Sequence, residues 1–162
     1  MNRGHTGNRN GKMRLAKVLI LTALALTATG CKVTFLSQYD SGTDQMATAL
    51  QRATAIHAET MQQQTVPDCF YDKHRDYYIQ QHADVGALQQ RVNIIPKNQP
   101  TIEQVAELKN GLSRFEALHK SATSNGRCQT PIEIQTALSG LDTIFASILR
   151  LEIAKQRGVK PD

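Results

Sequence analysis

The chain has 162 residues, no Trp, 5% aromatic residues and a formal net charge of +5. That excess sits at the start: of 19 Lys and Arg, Arg3, Arg9, Lys12, Arg14 and Lys17 precede Cys31, and none of the 14 Asp and Glu do. Residues 31–162 therefore balance, which removes any net-charge argument for binding nucleic acid or an anionic lipid surface.

Residues 12–17 are basic and residues 18–26 are apolar. The small residues Ala28, Thr29 and Gly30 then precede Cys31. A basic start, a short apolar block and small residues before a cut form the pattern of a secretory signal peptide. The block falls short of the about 20 residues that a spanning helix needs. Met13 opens a compact signal of its own, so Met1 and Met13 are both possible starts.

The run Leu26-Thr27-Ala28-Thr29-Gly30-Cys31 resembles the lipobox of bacterial lipoproteins, although Ala28 stands where that family more often has Leu. The resemblance implies a diacylglycerol on the Cys31 thiol, a cut before it, and acylation of the new amino group. An ordinary secretory signal cut after Gly30, with Cys31 a plain thiol, and an uncleaved N-terminal anchor are the alternatives. Lys32 is not the Asp that commonly retains lipoproteins at the inner membrane, so the resemblance points to the periplasmic face of the outer membrane. The expected organisation is a signal over 1–30, a lipidated Cys and tether over 31–40, and one domain over 41–162.

If Cys31 is acylated, Cys69 and Cys128 remain as a pair, and an oxidising compartment joins them. The chain-entropy model assigns such a closure roughly 4 kcal/mol. The alternative is two separate buried thiols. No Cys-x-x-Cys spacing marks a metal site.

The domain reads as helix, with plentiful Ala, Leu, Ile and Gln. A first helix is expected over 41–64, with Met46, Leu50, Ala53, Ile56 and Met61 inward and Asp40, Ser41 and Asp44 at its start. Pro67 stops it. A second is expected over 72–94, with Tyr77, Tyr78, Val85, Leu88, Val92 and Ile95 on one face, ended by Pro96 and Pro100. In the third, Ile102, Val105, Leu108, Leu112, Phe115 and Leu118 form a coiled-coil-like seam. Thr101 is its expected cap, and Asn125-Gly126 ends it. The fourth starts at Pro131 with Thr130 as cap. Ile134, Leu138, Leu141, Phe145, Ile148 and Leu151 are its core stripe, widened by Ile144 and Ile153. Short breaks between long helices predict an all-α, antiparallel four-helix bundle of up-down-up-down topology. Its first and third loops share one end, as a Cys69–Cys128 bridge requires.

Candidate chemistry is sparse. Residues 31–40 with Asp44, Thr48, Leu50 and Gln51 resemble the start of small proteobacterial lipoproteins that carry a Tyr-Asp pair after the lipid Cys and a helical domain. That resemblance implies location and fold and carries no catalytic residue across. Tyr39 and Asp40 are either a recognition patch near the membrane or a helix cap with a packed aromatic. Phe70 to Tyr78 mixes aromatics and charges. Tyr71, Arg75 and Tyr78 are its candidates for partner contact, since Tyr and Arg are frequent in binding hot spots. Glu116 and His119 have the Glu-x-x-His spacing of di-iron bundles, but only one such motif occurs, so they are weak metal candidates. No haem, nucleotide-binding or nucleophile-elbow motif appears, and no cofactor is expected. The reading is a lipid-anchored, non-enzymatic accessory or interaction module of the cell envelope. The alternative is a small-ligand or metal-binding bundle in the periplasm.

Overall fold

A computed structural model describes residues 37–158. The signal, Cys31 and the start of the tether lie outside the described residues. Four helices follow one another: α1 Ser41–Gln63, α2 Tyr71–Ile94, α3 Gln99–Ser124 and α4 Pro131–Gly158. Each packs on its sequence neighbour, and α4 closes the ring on α1; the diagonal pairs do not meet among the described residues. This is the expected four-helix bundle. Among the described residues no helix is long and apolar enough to cross a membrane.

The helix ends follow local chemistry. Asp40 caps α1 by accepting from the Thr43 amide at 2.9 Å. Thr130 and Glu133 form a capping box at α4: the Glu133 amide donates to Thr130 Oγ1 at 3.2 Å, and the Thr130 amide donates to Glu133 Oε2 at 2.7 Å. Gly126, at φ +68°, turns the chain out of α3 in the left-handed region that glycine tolerates. At the start of α3 the expectation needs correcting. The helix begins at Gln99, with Asn98 at the cap position three residues earlier, and Thr101 is buried inside the first turn instead of capping it.

Each helix buries a seam in alternating steps of four and three. In α1 it runs Thr43, Ala47, Leu50, Thr54, His57, Met61. In α2 it runs His74, Tyr78, Gln81, Val85, Leu88, Val92. In α3 it runs Thr101, Val105, Leu108, Leu112, Phe115, His119, Ala122. In α4 it runs Ile134, Leu141, Phe145, Ile148, Glu152, Lys155, with half-buried Leu138 against the same core. The middle of the bundle is mostly aliphatic and aromatic, with Thr54 and Gln81 buried among those side chains, and its two ends carry larger polar clusters.

Several expected core positions therefore lie elsewhere. Ile56, Leu118 and Ile153 are 57%, 47% and 45% exposed. Leu151 is half-buried, whereas Ile102, also half-buried, packs against the core as expected. Ile56, Leu118 and Leu151 were each reached by two consecutive three-residue steps. Six residues along an α-helix stop about 120° short of two full turns, whereas seven stop only about 20° short.

Cys69, in the α1–α2 loop, is bonded to Cys128, in the α3–α4 loop, with Cα atoms 5.5 Å apart. The bridge ties the two loops at one end of the bundle. The α2–α3 turn, the end of α4 and residues 37–40 occupy the other.

Candidate functional site

At the end opposite the disulfide, α4 carries a buried ion pair. Glu152 and Lys155 are one helical turn apart, and each side chain is 1% exposed. An ammonium has three donors. Those of Lys155 go to Asn98 Oδ1 at 2.7 Å, Thr101 Oγ1 at 2.8 Å and Glu152 Oε1. The second Glu152 oxygen accepts the Asp40 amide at 3.1 Å. Asn98 also accepts from Ser37 Oγ at 2.9 Å and donates to the Val92 carbonyl at 3.0 Å. The network is satisfied at each of these groups, as a buried charge requires.

Residues 37–40 are thereby clamped to the bundle end. Outside the clamp, Arg91 of α2 grips the Asp40 carboxylate through Nε at 2.6 Å and Nη2 at 2.7 Å. The Arg91 guanidinium, together with the Thr43 donors, holds the Asp40 carboxyl far below the usual carboxylate range. Gly42 makes room for this arm: a Cβ there would collide with the guanidinium. Tyr39 donates to Asp44 Oδ2 at 3.0 Å. Asp40 is the cap that one of the two readings expects, and Tyr39 is half-buried with its hydroxyl on Asp44.

The disulfide end holds an aromatic and imidazole cluster. The rings of His57, His74 and His119 have centroids 5.0 Å, 5.3 Å and 6.5 Å apart. His119 Nε2 lies 2.8 Å from the Cys69 carbonyl and Nδ1 lies 2.9 Å from the Tyr78 hydroxyl. A carbonyl only accepts, so Nε2 carries the proton and Nδ1 accepts from Tyr78. His74 Nε2 likewise donates to the Asp68 carbonyl at 3.1 Å. His57 stacks on Tyr77 with centroids 3.5 Å apart, and its Nε2 has no partner among the described residues.

Burial, with His74 and His119 close by, pushes the His57 imidazole down to about 3. Burial lowers His74 and His119 as well, against their carbonyl contacts. It pushes the Tyr77 phenol up to about 12 and raises Tyr78 further. The cluster is neutral.

Glu116 faces away from it. Its oxygens accept from Tyr71 at 2.7 Å, His82 at 2.7 Å and Lys120 at 2.7 Å. Burial opposes ionisation there, but those donors prevail and hold the carboxyl at about 2. Glu116 and His119 therefore do not share a shell, and among the described residues no group of three or more His, Cys, Asp or Glu is placed to hold a metal ion.

The candidates for partner contact divide. Arg75 is exposed and Tyr71 is half-buried under the Lys120 ammonium, 4.7 Å above its ring. Tyr78 is buried with its hydroxyl on His119, so it is a core residue and offers no surface. The sequence reading passed over His57 and His74. Continuing each seam by sevens from Leu50 and from Gln81 finds both.

A shallow groove of about 240 Å³ runs between α3 and α4, where Gly111 lets Leu141 approach and Leu118, Ala137 and Gly140 line the walls. Of its lining residues, Phe115 also packs edge-on against His57 and Tyr78 of the aromatic cluster. No family model matches the chain, and neither a curated protein nor a solved structure matches it.

Proposed function

We propose that this is an exported cell-envelope lipoprotein, anchored through Cys31 at the periplasmic face of the outer membrane. Its bundle serves as a non-enzymatic accessory or interaction module. The sequence supports export and anchoring through the basic start, the short apolar block, the small residues before Cys31, and Lys32 after it.

One structural observation carries the reading furthest. Ser37 and Asp40 are fastened to the Asn98, Glu152 and Arg91 end of the bundle, the end opposite the Cys69–Cys128 bridge. A chain held at its N-terminal end then turns Tyr71 and Arg75, beside the bridge, outward. At that end His74, Tyr78 and His119 are bonded to one another or to backbone carbonyls, while His57 Nε2, the Tyr77 hydroxyl and the Gln129 amide have no partner among the described residues.

Intact mass of the detergent-extracted protein, before and after reduction, tests the anchor. A mass of residues 31–162 plus a lipid adduct, gaining two hydrogens on reduction, is expected. An unmodified chain, or one retaining residues 1–30, overturns the anchor. A photo-crosslinker at position 75 tests the display. A specific adduct in cells that Tyr71→Ala weakens is expected, and equal labelling from position 109 on α3 counts against it.

A further inference from the structure

The clamp fixes where the tether leaves the domain. Ser37 is bonded to Asn98, in the turn between α2 and α3. From Cys31 to Ser37 is six residues, which span at most about 20 Å when fully extended. A helix of about 24 residues is about 36 Å long. A lipid on Cys31 would therefore keep the clamped end, and not the disulfide end, next to the bilayer.

That end carries an unusual turn. Ile94 is 81% exposed, the highest value among the large hydrophobic residues that the structure describes. Ile95 beside it is half-buried, Pro96 is exposed, and Lys97 is exposed at φ +58°. Ile153 is exposed on α4, next to the buried Glu152 of the clamp. Isoleucines standing out beside a long cationic side chain fit a headgroup boundary: the apolar part enters and the ammonium stays at the polar level. Such a contact is too small to recruit a free domain. A tether turns it into an intramolecular event at high effective concentration, so a weak contact suffices.

We infer that the Ile94 to Lys97 turn, at the clamped end that also exposes Ile153 on α4, rests on the lipid headgroup surface of the membrane that holds Cys31, with Ile94 inserted. This rests on the lipid anchor proposed above and adds the face that the domain turns to the bilayer.

The chain contains no Trp, so a single introduced Trp is an unambiguous reporter. Ile94→Trp, Ile153→Trp and, at the disulfide end, Ile132→Trp, itself 79% exposed, are compared in the full lipidated protein. The proteins are reconstituted in phosphatidylethanolamine/phosphatidylglycerol vesicles with brominated acyl chains, and each is checked by intact mass and circular dichroism. Quenching at 94 and 153 at least threefold that at 132 is expected. Equal quenching at all three positions, or stronger quenching at 132, in protein whose mass includes the lipid overturns the inference and leaves the anchor standing. A blue-shifted emission at 94 without bromolipid quenching places a protein, such as a second copy, on the turn and also overturns it. A mass without lipid overturns the anchor and this inference with it.

Discussion

The amide of Asp40 donates to the carboxylate of Glu152 across 3.1 Å, although the two residues are 112 positions apart. Asp40 is at once the cap of the first helix and the lid on a buried ion pair in the last. The bundle end is therefore closed by the segment that leads into the domain.

Breaking that pair from one side has a predictable cost. Lys155→Met leaves the Glu152 carboxylate buried without its cation, and loss of one partner of a buried pair costs about 3–5 kcal/mol. Replacing both, as Lys155→Met with Glu152→Leu, removes the stranded charge. The double variant is expected to be more stable than Lys155→Met alone, by urea unfolding monitored by circular dichroism. A double variant that loses the sum of the two single effects would count against an electrostatic origin.

The clamp also has an acid limit. Asp40 is depressed below its ordinary value by Arg91 and the Thr43 donors, so its contribution is present above about pH 4 and fades as pH falls further. Asp40→Ala is expected to cost about 1 kcal/mol at neutral pH through the cap alone. Gly42→Ala, which drives Arg91 aside, should weaken the same ion pair and leave the cap in place. The gap between wild type and Asp40→Ala should close on acidification. A gap unchanged at pH 2 would mean that the contribution of Asp40 does not depend on its charge.

Acid should loosen the other end sooner. His57, His74 and His119 are all lowered by burial, so the unfolded chain takes up protons below about pH 6.5 that the folded chain refuses. Stability is complete above that pH and declines below it, until the folded imidazoles titrate, near 3 for His57. One such group contributes at most about 1.4 kcal/mol per pH unit. His57→Phe, which keeps a ring against Tyr77, should flatten the slope of urea midpoint against pH between 6 and 5 by about one proton. An unchanged slope would mean that His57 titrates normally in the fold.

Helix limits and topology were legible because their signals are local. Asp40, Pro67, Gly126 and the Thr130-Glu133 box each act within a turn of their own position. The Cys69–Cys128 bridge was the pair left once Cys31 was set aside, and two loops at one end of the bundle agree with it. The phase of the seams was less legible, and in one consistent way. Ile56, Leu118 and Leu151 each lie six residues from an apolar seam member, while His57, His119 and Glu152 lie seven. Counting only apolar residues selects the former. What makes the polar residues acceptable in the core is supplied by other helices and loops: the Cys69 carbonyl and Tyr78 for His119, and Asp40 and Lys155 for Glu152. No short stretch of sequence contains that information. Thr101 was misread for the same reason, because its hydroxyl serves Lys155.

Neighbouring substitutions at 118 and 119 separate the two phases directly. Leu118 is nearly half exposed, so Leu118→Ser should change stability by no more than about 0.5 kcal/mol. His119 is 1% exposed and satisfies both the Cys69 carbonyl and the Tyr78 hydroxyl. His119→Ala strands both groups in the core, and each unsatisfied group costs about 1–3 kcal/mol. A loss of several kcal/mol at 119 with almost none at 118, read by urea unfolding with the disulfide intact, fits the seven-residue seam. The reverse order would restore Leu118 to the core and turn His119 toward solvent, where Glu116 and His119 could meet on one face.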